Sequence, residues 1–254
     1  MRGRRILLSL ILTAIVLPAR AEEVIAAVAS NFAAPMKVIA AAFEESTGHR
    51  VRLAFGSSGK FFAQVSNGAP FDIFLSADQA KPHALLNAGL AEPGSAFTYA
   101  IGRLVLWSPV TGRVSDGPGA LREGGYRKLA LANPRLAPYG AAAVQVLGSL
   151  ELVETTRSRW VQGENISQAF QFVATGNAEL GFVALSQVMK EGRIARGSGW
   201  VVPSSMHRPI RQDAVLLEQG AENPAARALL AFLRSPRSAA LIESHGYQLP
   251  VSEE

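Results

Sequence analysis

Phe62-Ala-Gln-Val-Ser-Asn-Gly68, followed by Phe71-Asp-Ile-Phe-Leu75, returns 108 residues later as Phe170-Gln-Phe-Val-Ala-Thr-Gly176, followed by Leu180-Gly-Phe-Val183. Both copies read as a short helix, a glycine stop and a strand. The overlay sets Phe62 on Phe170, Val65 on Val173, Gly68 on Gly176 and Phe74 on Phe182. It also sets Ser58, before the first helix, on Ile166, before the second. Two readings stand. Helix–glycine–strand units recur by chance in α/β proteins; alternatively, the chain builds two similar lobes, each offering a loop and a helix start to a shared cleft.

Outward from this repeat, short β-branched runs alternate with helical patterns, which predicts α/β architecture. Strands are expected at 24–29, 51–55 and 71–75, with helices between them over 32–43 and 60–67 and another around Leu85 and Leu86. Further elements are expected at 101–107, 129–132, 141–150, 167–175, 180–184 and 214–217, and two C-terminal helices are broken at Ser235-Pro236. The runs Tyr99 to Trp107 and Pro209 to Leu217 are candidate crossovers. If both cross, residues 102–203 form a second lobe inserted into a first lobe made of 22–101 and closed by 204–254.

The first 21 residues read separately. Arg2 to Arg5 form a basic segment, Ile6 to Leu17 an apolar one, and Ala19-Arg20-Ala21 a small-x-small site, so a cleaved export signal is expected over 1–21. An apolar run of about 12 residues is too short to span a bilayer, which takes about 20. The whole chain carries a net charge of +5, yet residues 22–254 hold 21 basic and 20 acidic side chains. The remaining charge is dispersed, which argues against a nucleic-acid partner. There is no cysteine, which excludes disulfides, thiolate metal sites and a cysteine nucleophile. An exported, cysteine-free, unanchored chain fits a Gram-negative periplasm.

Catalytic chemistry finds little support. The four histidines, His49, His83, His207 and His245, lack metal-ligand spacing, and no bare-cation site or cofactor is expected. No G-x-S-x-G elbow occurs. Gly56-Ser-Ser-Gly-Lys60 resembles a phosphate loop, but Ala54 stands where its first glycine belongs and Phe61 where Ser or Thr would hold magnesium. Asp72 and Asp78 flank a strand; as an acid/base pair they compete with the plainer reading of a strand-edge carboxylate and a helix cap. An enzyme is therefore not expected. Instead, four strand-to-helix junctions carry Gly, Ser or Asn: Ser30-Asn31, Ser57-Ser58-Gly59, Pro138-Tyr139-Gly140 and Glu164-Asn165-Ile166-Ser167. Helix starts expose unsatisfied N–H groups and partial positive charge, so four of them converging would hold an anion without Lys or Arg. Ordinary capping explains the same residues equally well.

The mature chain resembles the periplasmic molybdate-binding components of ABC-type uptake systems along essentially its whole length. The resemblance rests on Ala29-Ser-Asn31, Phe55-Gly-Ser-Ser58, Gly68-Ala-Pro-Phe-Asp-Ile-Phe-Leu-Ser-Ala-Asp78, Ala132-Asn-Pro134, Ala137-Pro-Tyr-Gly140, Gly163-Glu-Asn-Ile166, Gly176 to Ala184, and Gly246-Tyr247. It implies a two-lobe α/β periplasmic-binding-protein fold of type II, with the ligand in the cleft between lobes joined by two crossover strands. It implies ligand contacts from Ser30, Asn31 and Ser58 in one lobe and from the main-chain N–H groups of Tyr139 and Ile166 in the other. It further implies a monomer that takes molybdate, with tungstate, and passes it to a membrane permease. This chain departs from the better-known branch, which has serine at the place of Asn31, a small residue at Tyr139 and tyrosine at Ala184. Asn31 and Tyr139 are expected to supply donors that Ala184 lacks. A sulfate- or thiosulfate-type oxyanion receptor is the alternative. An effector domain of a transcription regulator would need a DNA-binding helix pair where the basic-apolar stretch stands, and an exported enzyme lacks its reactive groups.

Overall fold

A computed structural model describes residues 21–250; the expected export signal lies outside the described residues except for its last position. In chain order the strands are β1 (Glu23–Ala29), β2 (Arg50–Gly56), β3 (Ile73–Leu75), β4 (Phe97–Gly102), β5 (Leu104–Ser108), β6 (Leu129–Ala132), β7 (Trp160–Gly163), β8 (Leu180–Ala184), the small hairpin β9–β10 (Met189–Lys190 and Arg193–Ile194), β11 (Ser198–Val201) and β12 (Ile210–Leu216). The helices are α1 (Ala33–Thr47), α2 (Ser58–Ser66), α3 (Ala80–Asn87), α4 (Gly117–Arg122), α5 (Pro138–Ser149), α6 (Val153–Arg157), α7 (Ile166–Ala174), α8 (Leu185–Val188), α9 (Pro224–Leu233) and α10 (Pro236–Ser244).

Two five-stranded sheets organise these elements, in the orders β2-β1-β3-β12-β4 and β7-β6-β8-β5-β11. The pairings correspond strand for strand. In each sheet the first three strands are parallel, the fourth is antiparallel to both neighbours, and helices make the parallel crossovers. The inner parallel strands β1, β3, β6 and β8 are largely buried and read as apolar runs, as the interior of a sheet covered on both faces requires. Each sheet has its own core. Val28, Phe32, Ile39, Leu75 and Leu216 pack in the first, and Leu106, Leu131, Val146 and Phe182 in the second.

The repeat at offset 108 is structural. Helix α2 and helix α7 are both nine residues long, and their first residues are Ser58 and Ile166. Gly68 and Gly176 end the two units at φ +81° and +77°, a left-handed turn that favours glycine. Gly181 is held for a different reason: a Cβ there would lie 2.4 Å from a Val173 methyl, so the helix packs on the strand through a missing side chain.

The chain leaves the first sheet at Gly102 and enters the second at Leu104, with only Arg103 between them; it returns between Val201 and Ile210. The expected continuous run 101–107 is thus two strands serving different sheets. The helix expected from Lys60 starts two residues earlier, because Ser57 caps it with its side chain on the Lys60 N–H. Among the described residues, no helix is long and apolar enough to cross a membrane.

Candidate functional site

The C-terminal ends of β1, β2, β6 and β7 point toward one place, where parallel α/β sheets commonly bind ligands. A small cavity there is lined by Ala29, Ser30, Asn31, Gly56, Ser57, Ser58 and Ala77 from the first lobe, and by Ala137, Pro138, Tyr139, Asn165 and Ile166 from the second. All five residues named from the sequence, Ser30, Asn31, Ser58, Tyr139 and Ile166, are in this set, and each is at most 5% exposed. The cavity measures ≈ 10 Å³, about the room of one water molecule.

The donors are main-chain first. Asn31 lies in the 3-10 turn Ser30–Phe32 that leads into α1, and Ser58, Tyr139 and Ile166 lie in the first turns of α2, α5 and α7; no carbonyl or side chain among the described residues accepts their N–H groups. Neighbouring N–H groups are satisfied: Lys60 by Ser57 Oγ, and Ser167 and Gln168 by Asn165 Oδ1 at 3.0 and 3.1 Å. Capping therefore accounts for the flanking groups and leaves four donors without a partner. Two hydroxyls join them. Ser58 Oγ accepts the buried Ala77 N–H at 2.9 Å, which leaves its own proton to donate. Ser30 Oγ reaches Asn165 Oδ1 at 3.2 Å, but that oxygen already accepts two main-chain N–H groups.

No Asp, Glu, His, Lys or Arg lines the cavity. Glu164, two positions before Ile166, points outward and pairs with Lys60 at 3.2 Å, both side chains being over 40% exposed. Asp72 and Asp78 do not form an acid/base pair. Asp72 accepts from Ile25 N and Asn223, and Asp78 accepts the Lys81 N–H and pairs with its ammonium. Among the described residues, no group of three metal-ligating side chains occurs.

Behind the cavity lies a buried polar network that the sequence reading missed. Asn31 Nδ2 donates to Gln212 Oε1 at 2.7 Å and to the Tyr247 hydroxyl at 3.1 Å; Tyr247 donates to Asn31 O at 2.7 Å. Tyr99 and Tyr139 meet Gln212 at 3.1 and 3.4 Å, and Ser186 Oγ donates to Asn31 O at 3.0 Å. A buried polar tip needs partners, so the Asn31 amide and the Tyr139 hydroxyl turn into the network, and their main-chain N–H groups remain without acceptors. Burial raises the tyrosine pKa values, to about 12 for Tyr247 and well above the ordinary value for Tyr99 and Tyr139, where neighbouring tyrosines add to the effect. The network stays neutral across the physiological range. Its named partners are 73 to 216 positions apart in sequence, so no local pattern marks them.

The two halves touch directly. Gly59 N donates to Leu136 O at 2.9 Å, Ser167 Oγ to Ser30 O at 3.1 Å, and Lys60 meets Glu164. Gly102, at the crossover, is fixed by the Tyr139 hydroxyl: a Cβ would lie 2.1 Å from that oxygen.

Two α/β lobes closed on a small, uncharged, donor-lined cavity define a two-lobe solute-binding protein. In agreement, residues 24–248 match the family model described as bacterial extracellular solute-binding protein. The chain is 54% identical over 231 residues to the molybdate-binding protein ModA of Azotobacter vinelandii, covering 91% of this chain and 92% of that one. It is 53% identical over 232 residues to ModA of Rhodobacter capsulatus, covering 91% and 90%. The solved Azotobacter vinelandii periplasmic molybdate-binding protein superposes with a TM-score of 0.87 at 41% identity, over 90% of this chain and 100% of that one. The chain belongs to the bacterial extracellular solute-binding family, in its branch of ModA molybdate-binding proteins.

Proposed function

We propose that the protein is the periplasmic receptor of a molybdate ABC importer, a binding protein and not an enzyme, and that Ser30, Asn31, Ser58, Tyr139 and Ile166 hold the oxyanion. The observation that carries this reading is the set of four helix-start N–H groups without acceptors around a buried cavity that lacks any charged side chain. Molybdate and tungstate are tetrahedral dianions with four acceptor oxygens and no proton at neutral pH, so a shell of neutral donors complements them. Hydrogen bonds to a charged group contribute about 1.5–3 kcal/mol each. Four to six of them, after ordering costs, correspond to about −8 to −12 kcal/mol, the micromolar to nanomolar range.

In this reading 22–101 with 204–254 and 102–203 are the two moving lobes, and the two passages at Arg103 and 202–209 are the hinge. Contacts such as Gly59 to Leu136 form on closure and exclude water from the anion. The closed monomer is what the permease receives. Titration calorimetry of the protein with molybdate, tungstate, sulfate and phosphate tests the assignment. Tight molybdate and tungstate binding supports it; sulfate binding tighter than molybdate transfers the protein to the sulfate-type alternative.

A further inference from the structure

Beside the small cavity the cleft holds a groove of ≈ 440 Å³. The two spaces share a wall, formed by Ala77 of the first lobe and Ala137 and Pro138 of the second. The cavity has no charged side chain, whereas the groove carries Lys81, Arg135, Arg208 and Arg211 and a single carboxylate, Asp78. Asp78 is paired with Lys81, so its charge is compensated locally. Arg135, Arg208 and Arg211 are exposed, and none of them takes part in an ion pair among the described residues. The main chain at Arg208 is pinned to α5 by a 2.8 Å bond from its N–H to Gln145 Oε1, which holds that arginine at the groove edge. Residues 22–254 carry a net charge of only +1, so this concentration of positive charge is local.

From this contrast we propose that the groove is a capture site for small dianionic oxyanions, which gathers the ligand electrostatically and passes it across the Ala77–Ala137–Pro138 wall when the lobes part. The inference rests on the oxyanion reading above and adds a division of labour to it. The neutral cavity fixes how long the anion stays, and the arginine groove fixes how fast it arrives. Charges in a cleft raise on-rates and do so less as salt increases, because the Debye length falls from about 30 Å at 0.01 M to about 3 Å at 1 M. A neutral hydrogen-bonding shell has no such dependence.

The test uses radiolabelled molybdate, rapid mixing with filter capture for association, and an unlabelled chase for dissociation. Arg135→Gln/Arg208→Gln/Arg211→Gln is expected to associate roughly ten-fold more slowly than wild type at 10 mM ionic strength and less than two-fold more slowly at 0.5 M, with an unchanged dissociation rate. The exposed hairpin variant Lys190→Gln/Arg193→Gln is expected to match wild type. Wild-type association alone is expected to slow with added salt, which keeps the proposal testable if the triple variant folds poorly. Association that is salt-independent in wild type, or equal in the triple variant, overturns the groove. Failure of wild type to retain any molybdate overturns the underlying oxyanion reading instead.

Discussion

Replacing Ser58 by alanine removes one oxygen that serves two masters. In the closed structure Ser58 Oγ accepts the buried Ala77 N–H at 2.9 Å and keeps a proton for the anion. Without it the complex loses one hydrogen bond to a charged group, about 1.5–3 kcal/mol. That is roughly a 10- to 150-fold rise in Kd at 25 °C. The free protein also changes, because the Ala77 N–H is left without an acceptor, at a cost of about 1–3 kcal/mol. At about 2–4 °C per kcal/mol for a chain of this size, the apo Tm falls by roughly 2–12 °C. Calorimetry and thermal unfolding of the same preparation read both effects. A variant with near wild-type molybdate affinity removes Ser58 from the anion's shell; an unchanged apo Tm refutes its role as acceptor for Ala77.

Gly59→Ala places a Cβ 2.9 Å from Leu136 O and 3.0 Å from its Cα, across the closed cleft. It is expected to weaken molybdate binding by about ten-fold or more with little change in apo Tm; equal affinity means that this contact does not accompany closure. Glu164→Gln breaks only the exposed pair with Lys60, so molybdate affinity is expected to change less than three-fold, and excess phosphate is expected not to displace molybdate in wild type or variant. The phosphate proton finds no carboxylate in the cavity; tight phosphate binding lost in Glu164→Gln would overturn that reasoning. Alkali separates folding from binding. Tyr99, Tyr139 and Tyr247 ionise in the unfolded chain near pH 10 but later in the native one, Tyr247 at about 12. Their contribution is complete below pH 10 and is lost as pH rises toward the native values, by about 1.4 kcal/mol per unit per residue; denaturant melts that stay level between pH 10 and 11.5 would contradict it.

The sequence discloses the parts of this molecule that repeat or punctuate. Strands 129–132 and 180–184 are found to the residue, because both are apolar runs bounded by turn residues. The repeat marks Ser58 and Ile166 as equivalent positions just ahead of two helices expected from Lys60 and Ser167; both helices in fact begin earlier, at Ser58 and Ile166 themselves, because the Ser57 and Asn165 side chains cap their first turns. Strand 160–163 escapes detection because Trp-Val-Gln-Gly is half exposed at the sheet edge and short. The Asn31–Gln212–Tyr247 network escapes for a different reason. A glutamine within a β-branched run and a tyrosine after the last helix look like surface residues until the fold buries both. The basic groove is likewise assembled from four separate segments, each unremarkable in charge.

Each lobe contributes two of the four main-chain donors without acceptors, Asn31 and Ser58 from one side and Tyr139 and Ile166 from the other. A guest held in this way has no owner. Under the proposed binding mode, parting the lobes would leave half a shell on each, so a modest rotation would work as a release lever with no chemistry and no change in protonation. A grip of this kind would also sit largely in the chain's backbone, beyond the reach of most single-codon changes. A lineage that needed a different anion would have to reshape the gap between the halves, and the record of its specificity would be written in hinge and loop geometry more than in the identity of any contact residue.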